Sequence, residues 1–264
     1  MMTPSQAQSA SDVLWSYWQQ GRRLSTLPAE QRPTTREEGY AIQALLEPRS
    51  AKPLFGWKIA ATSTAGKKHI NVEGPLAGRL LAERVYRSGD TLPFGANAMR
   101  VAEPEFAFRI GRDLPPRATP YAVDEVLAAV EALHPAVEVP DSRFTDFVRV
   151  GAAQLIADNA CAHDFVLGAA ATADWRRIDL STHRGTGTVT GKLEREGSGA
   201  NVLGDPRVAL TWIANELSGI GVTLQAGQVV TTGTCVVPLP IAPGDEVIAD
   251  FGALGRCSLR FAET

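Results

Sequence analysis

The sequence predicts an α+β protein with a rolled or barrel-like sheet. Three observations lead there. Apolar residues at helical spacing crowd the N-terminal stretch, residues 1–53. Strand-like runs fill the C-terminal third. Helices and strands do not alternate in regular βαβ units, which argues against a doubly wound parallel sheet.

Each element has its own signal. Asp12 to Gln20 carries Val13, Leu14, Tyr17 and Trp18 at helical spacing and stops at Gly21. Thr35-Arg-Glu-Glu38 is a capping box that opens a helix through Ile42, Leu45 and Leu46, ending before Pro48. Phe55 to Ala61 reads as a strand, and Thr62-Ser63 offers a cap to the next element. Arg100 to Phe108 and His134 to Val139 read as strands rich in Val, Phe and Ala. Between them Val123, Val126, Leu127 and Val130 make a helical stripe. Thr186 to Glu194 reads as a strand. Asp205-Pro206 supplies an N-cap and first-turn proline for a helix with Ala209, Trp212, Ile213 and Leu217. Strands return around Gln228–Val236, Asp245–Phe251 and Arg256–Phe261, with glycines marking the turns. Gly197-Ser-Gly-Ala-Asn201 lacks the Lys and Ser/Thr of a phosphate loop and reads as a turn. One domain is expected over 1–264, with a helical region 1–53 and a β core 54–264.

Bulk composition narrows the function. The chain has 264 residues, 44% hydrophobic and 21% charged, enough to bury a sizeable core. A net charge of −3 gives no general attraction to nucleic acid or anionic membrane. No apolar run approaches the roughly 18 residues of a membrane span. Met1 to Ser11 is polar and lacks a signal-peptide pattern. The three cysteines, Cys161, Cys235 and Cys257, form no Cys-x-x-Cys pair, so reduced thiols and a cytoplasmic location are expected. The four histidines are scattered singly and give no metal motif.

The chemistry concentrates in two of the strands. Glu103 and Glu105 point to one face while Phe106 and Phe108 point to the other, because side chains alternate along a strand. Glu138 sits in the apolar run Ala136 to Val139, where a lone carboxylate is costly. A shared hard divalent cation relieves all three, and all-oxygen anionic ligands suit Mg²⁺ or Mn²⁺. A solvated glutamate face is the competing reading. Lys58, between Trp57 and Ile59, either snorkels to solvent or meets a buried anion. Asp158-Asn159 fits a cap or turn, Asp141 and Arg143 fit a local ion pair, and the Thr231-Thr-Gly-Thr234 hydroxyls fit backbone capping.

Taken in order, these stretches resemble the 2-keto-4-pentenoate hydratase family of the fumarylacetoacetate hydrolase-like superfamily. The resemblance rests on Gly56-Trp-Lys58-Ile-Ala-Ala-Thr-Ser63, Glu103-Pro-Glu105-Phe-Ala-Phe108, Ala136-Val-Glu138-Val-Pro-Asp141-Ser-Arg143, Ala157-Asp158-Asn159-Ala160, Thr232-Gly-Thr234, Gly244-Asp245 and Asp250-Phe-Gly252. It implies a mixed β-roll of the fumarylacetoacetate hydrolase-like type and a divalent metal, Mg²⁺ or Mn²⁺, on Glu103, Glu105 and Glu138. It further implies Lys58 and Asp158 as catalytic residues, Ser63, Arg143 and Thr234 as substrate-binding residues, and a homo-oligomer. The expected partner is a small 2-oxo or 2-hydroxydienoic acid, with no nucleic acid and no membrane. The expected reaction is hydration of a 2-hydroxy-2,4-dienoate to a 4-hydroxy-2-oxo acid.

Three rivals stand beside it: a 4-oxalocrotonate-type decarboxylase, a fumarylacetoacetate-like carbon–carbon hydrolase, and a non-catalytic small-molecule binder. Two departures keep them open. Ala60-Ala-Thr-Ser63 follows the lysine where the family often has Gly-Leu-Thr-Ser. Ala82-Glu83 follows Leu80-Leu81 where many members carry an acidic pair.

Overall fold

The computed structural model describes residues 2–263. It opens on α1 (Pro4–Gln19), earlier than the expected start at Asp12. Thr3 is the reason. Its hydroxyl accepts from Gln6 N, and the Gln6 side chain accepts from Thr3 N, closing a capping box just ahead of a first-turn proline. Helix α2 (Arg36–Ala44) starts as expected, with Thr35 accepting from Glu38 N, and Leu45 already serves as its C-cap. Then come β1 (Gly56–Ala60), α3 (Thr64–His69), β2 (Leu76–Leu80), β3 (Val85–Arg87) and β4 (Thr91–Leu92). The middle of the chain holds β5 (Val101–Ile110), α4 (Val123–Leu127), β6 (Val130–Val139), α5 (Ala152–Ala157) and β7 (Asp164–Leu167). The rest is β8 (Arg184–Val189), β9 (Leu193–Ser198), α6 (Pro206–Gly219), β10 (Val229–Thr234), β11 (Leu239–Pro240), β12 (Glu246–Asp250) and β13 (Arg256–Phe261).

Two expectations change here. Val130 does not extend the α4 stripe; it begins β6. The run Thr186–Glu194 is not one strand but most of a hairpin, β8 and β9, folded back at Gly191.

The strands form two mixed sheets. The larger runs β2-β1-β10-β5-β6-β7-β3, with β11 also pairing β5; the smaller runs β4-β13-β12-β8-β9. Most ladders are antiparallel, but β1/β10, β3/β7 and β13/β4 are parallel. One face of β5 and β6 is apolar. Phe106 meets Phe251 at 4.7 Å between ring centroids, and Phe108 meets Trp175 at 5.8 Å. Leu210, Ile213 and Leu217 of α6 join this main core. Helices α1 and α2 build a smaller one, where Ala10, Leu14 and Ile42 pack with Phe144 and Ala157. The other face of β5 and β6 carries the acidic residues. Among the described residues no helix is long and apolar enough to cross a membrane.

Candidate metal centre

The glutamates meet because of strand register. In the β5–β6 ladder Glu103 lies directly opposite Glu138, and Glu105 opposite Ala136. Alternation puts Glu105 on the same face, two residues along. One carboxylate oxygen from each of Glu103, Glu105 and Glu138 falls within 4.8 Å of the others. Glu105 and Glu138 are fully buried, and Glu103 is half-buried at the open side.

Lys58 reaches this cluster from β1, which is separated from β6 by β10 and β5. At about 4.8 Å per strand, that is about 14 Å along the sheet. Yet Lys58 Nζ is 3.0 Å from Glu138 Oε1. The sheet therefore curls, and the lysine crosses its concave side. The Lys58 ammonium also donates to the Ala160 carbonyl at 3.1 Å. The lysine is buried and does not snorkel.

Three residues of β10 and its bulge orient Glu105. The register shifts between Thr231 and Thr234. At this irregularity the Thr231 hydroxyl donates to Glu105 Oε2 at 2.5 Å and Gly233 N donates to the same oxygen at 2.7 Å. Gly233 has a φ of 98°, and a Cβ there would lie 2.1 Å from Thr62 Oγ1, so only glycine fits. Thr232 ties its hydroxyl to the Phe106 carbonyl at 2.9 Å, which holds the bulge in place.

The electrostatics of the cluster are unbalanced. Burial, followed by the Glu138 charge, pushes Glu103 up to about 7. Burial and its two acidic neighbours push Glu105 well above the ordinary carboxylate range, and burial also raises Glu138. Burial opposes the charge on Lys58, but Glu138 and Glu103 outweigh it and hold the ammonium above its usual pKa. One lysine faces three carboxylates. Glu105 Oε1 and Glu138 Oε2 are buried with no hydrogen-bond partner. Buried carboxylate oxygens without donors are rare unless something else satisfies them. A divalent cation fits this donor set: it is hard, oxygen-seeking, and opposite in charge.

The other expected residues lie elsewhere. Asp158 stays out of the cluster. Its Oδ2 accepts from Ser142 Oγ at 2.6 Å and Arg143 N at 3.0 Å, and its Oδ1 is taken by Arg143 Nε. Arg143 does not pair with Asp141, which pairs with Arg23. Its guanidinium is spent on Asp158, on the Ala162 carbonyl at 3.1 Å, and on the Trp18 ring 4.6 Å away. Each of its three nitrogens is thus tied to this wall, Nη2 donating to the Asp158 carbonyl. Ser63 caps α3 by accepting from Gly66 N at 2.9 Å. Thr234 donates to the Val236 carbonyl at 2.7 Å. Ala82 lines a pocket that none of the three glutamates lines, and Glu83 accepts from Ser50 and Ala51 at the surface. Sequence reasoning missed Thr231, Gly233 and the Ala160 carbonyl. The Thr-Thr-Gly-Thr run was the available signal for the first two.

Comparison with known proteins agrees with this geometry. Residues 59–262 match the fumarylacetoacetate (FAA) hydrolase C-terminal family. The 2-hydroxyhexa-2,4-dienoate hydratase of Comamonas testosteroni is 31% identical over 95% of each chain. The 2-keto-4-pentenoate hydratase of Paraburkholderia xenovorans is 28% identical over 98% of this chain and 96% of its own. Among solved structures, 4-oxalocrotonate decarboxylase from Pseudomonas putida G7, complexed with magnesium and adipate, superposes with a TM-score of 0.88 at 25% identity, covering 99% of both chains. With its fold, its three-glutamate cluster and these full-length relatives, the chain belongs to the fumarylacetoacetate hydrolase family, alongside the 2-keto-4-pentenoate hydratases.

Proposed function

We propose that the protein is a metal-dependent hydro-lyase that adds water to a 2-hydroxy-2,4-dienoate and yields a 4-hydroxy-2-oxo acid. The observation that carries this reading is the buried three-carboxylate cluster with a charged lysine beside it, in a chain whose hydratase relatives align along almost its whole length. Glu103, Glu105 and Glu138 would hold Mg²⁺ or Mn²⁺. When bound, such a cation supplies Lewis-acid charge that favours the enolate form of a 2-oxo acid.

This chain's own residues do the rest. Thr231 and Gly233 keep Glu105 Oε2 fixed, so Oε1 faces the cluster. Lys58 holds a proton at Nζ inside a buried site, where it can bind the substrate's carboxylate or deliver that proton to the carbon chain. The apolar layer under the glutamates, with Ala107, Ala136 and Phe165, keeps bulk water from the site floor. Ser63 and Thr234, engaged in backbone caps, are read as shaping the surrounding loops, and Asp158 and Arg143 as holding the wall behind Lys58.

A decarboxylase acting on a diacid is the second reading. The structural similarity to the P. putida decarboxylase favours it, as does the 30% identity of a Pseudomonas 4-oxalocrotonate decarboxylase over 92% of this chain. One experiment separates them. The metal-loaded protein is given 2-hydroxypenta-2,4-dienoate and a 2-hydroxymuconate-type diacid side by side, with diene absorbance and CO₂ both recorded. Loss of the monoacid diene without CO₂ is the expected result. CO₂ from the diacid with no monoacid hydration makes it a decarboxylase, and inertness toward both leaves a binder.

A further inference from the structure

The face of β5 and β6 that bears the glutamates continues past them. Arg109 follows Glu105 by four residues on β5, and His134 precedes Glu138 by four on β6. At about 3.3 Å per residue each lies about 13 Å further along its strand. A buried apolar layer of Leu80, Ala107, Ala136, Phe165 and Val229 separates the two ends. Beyond that layer an open pocket of about 580 Å³ is lined by, among others, Phe55, Val85, Arg87, Arg109, His134 and Leu167.

Its polar groups are only partly satisfied. His134 is only 6% exposed. Its Nδ1 lies 2.9 Å from the Gly168 carbonyl, an acceptor only, so Nδ1 carries the hydrogen. Nε2 is buried with no partner. Arg109 gives one N–H to the Gly227 carbonyl at 3.3 Å. Neither Arg109 nor Arg87 has an ion-pair partner among the described residues. Two unpaired guanidiniums and an unsatisfied imidazole thus sit beside an apolar wall.

We propose that this pocket is a second ligand site, for a short-chain organic carboxylate. Arg109, Arg87 and His134 Nε2 receive the anionic head, and Phe55, Val85 and Leu167 receive the hydrocarbon body. Guanidinium donors match a carboxylate in geometry as well as charge. Burial and the Arg109 charge hold the imidazole below its usual pKa, against the opposing pull of the Gly168 carbonyl and of Glu131 on the same strand. An anion between Arg109 and His134 reverses that balance and brings a proton onto Nε2, which then donates to the ligand. Binding therefore takes up a proton and tightens as pH falls. The site is independent of the reaction at the glutamates.

Calorimetric titration of the metal-free, full-length protein tests this, using hexanoate, acetate and inorganic phosphate in parallel. Hexanoate is expected to bind saturably, tighter than either comparator, and tighter at mildly acidic than at mildly alkaline pH. Arg109→Gln should weaken it about tenfold or more, the loss expected for one charge-assisted contact. His134→Gln should remove the pH dependence, and Glu105→Gln should leave binding unchanged. Arg109 is partly exposed and Arg87 exposed, so glutamine at either position disturbs no core packing. Unaltered affinity in Arg109→Gln, loss of binding in Glu105→Gln, or phosphate binding tighter than hexanoate would each overturn the proposal.

Discussion

Glu103 and Glu138 face each other directly across the β5–β6 ladder. Like charges at directly opposed positions destabilise a sheet, and burial amplifies the effect. The pair persists in the fold because it shares Lys58 and leaves room for a cation.

The first prediction comes from that opposition. Glu103 is raised to about 7, and Glu105 and Glu138 are raised as well. Carboxylates raised in the folded state bind more protons there than when unfolded. Stability of the metal-free protein should therefore fall as pH rises from the ordinary carboxylate range through about 7. A divalent metal needs these groups ionised, so its binding should release protons and tighten over the same interval. Calorimetry of Mg²⁺ binding in buffers of different ionisation enthalpy measures the release. No proton release near pH 6 would contradict the coupling.

Replacing Glu105 by Gln should abolish Mg²⁺ or Mn²⁺ binding without unfolding the chain. It removes one of three crowded charges, and the amide oxygen can still accept from Thr231 or Gly233. Metal-free thermal stability should hold or rise at neutral pH. Undiminished metal affinity by calorimetry would remove Glu105 from the ligand set.

Lys58→Met tests the lysine. Turnover on the dienoate should fall on the order of a hundredfold or more, as for loss of one electrostatic or acid–base group. The metal-free variant should also lose stability, because Glu138 is left without its counter-ion, and added metal should restore part of it. Near-normal kcat would show that the ion pair is only structural.

Asp158→Asn separates scaffold from chemistry. Breaking the buried pair with Arg143 should cost about 3–5 kcal/mol of stability, with metal affinity nearly unchanged. A variant as stable as the parent but inactive would instead make Asp158 a catalytic group.

Much of this was legible in the sequence, for identifiable reasons. Strand alternation gives facing, so Glu103 and Glu105 could be put on one side of β5 before any coordinates. The caps at Thr35, Ser63 and Asp205 could be read because capping is local. Register is not local. That Glu138 opposes Glu103, and not Glu105, depends on how two distant strands pair. Ion-pair choice is not local either, and Arg143 chose Asp158 over its near neighbour Asp141. The missed start of α1 is different. The Thr3-Pro-Ser-Gln6 pattern is present, but the first half of the helix, Pro4 to Ser11, holds only small and polar residues, and the apolar stripe begins after Asp12.

The segment behind Lys58 has a further consequence. Asn159, Ala160 and Cys161 all have positive φ, at 57°, 50° and 61°. Each such residue that is not glycine costs roughly 1–2 kcal/mol. What holds them is tertiary: Asn159 bonds both backbone groups of Arg79, accepting from its N at 2.6 Å and donating to its O at 2.8 Å. Local contacts cannot rebuild this turn once Arg79 moves away. On heating, the lysine should lose its carbonyl neighbour before either sheet melts, so catalytic inactivation should precede the loss of circular dichroism.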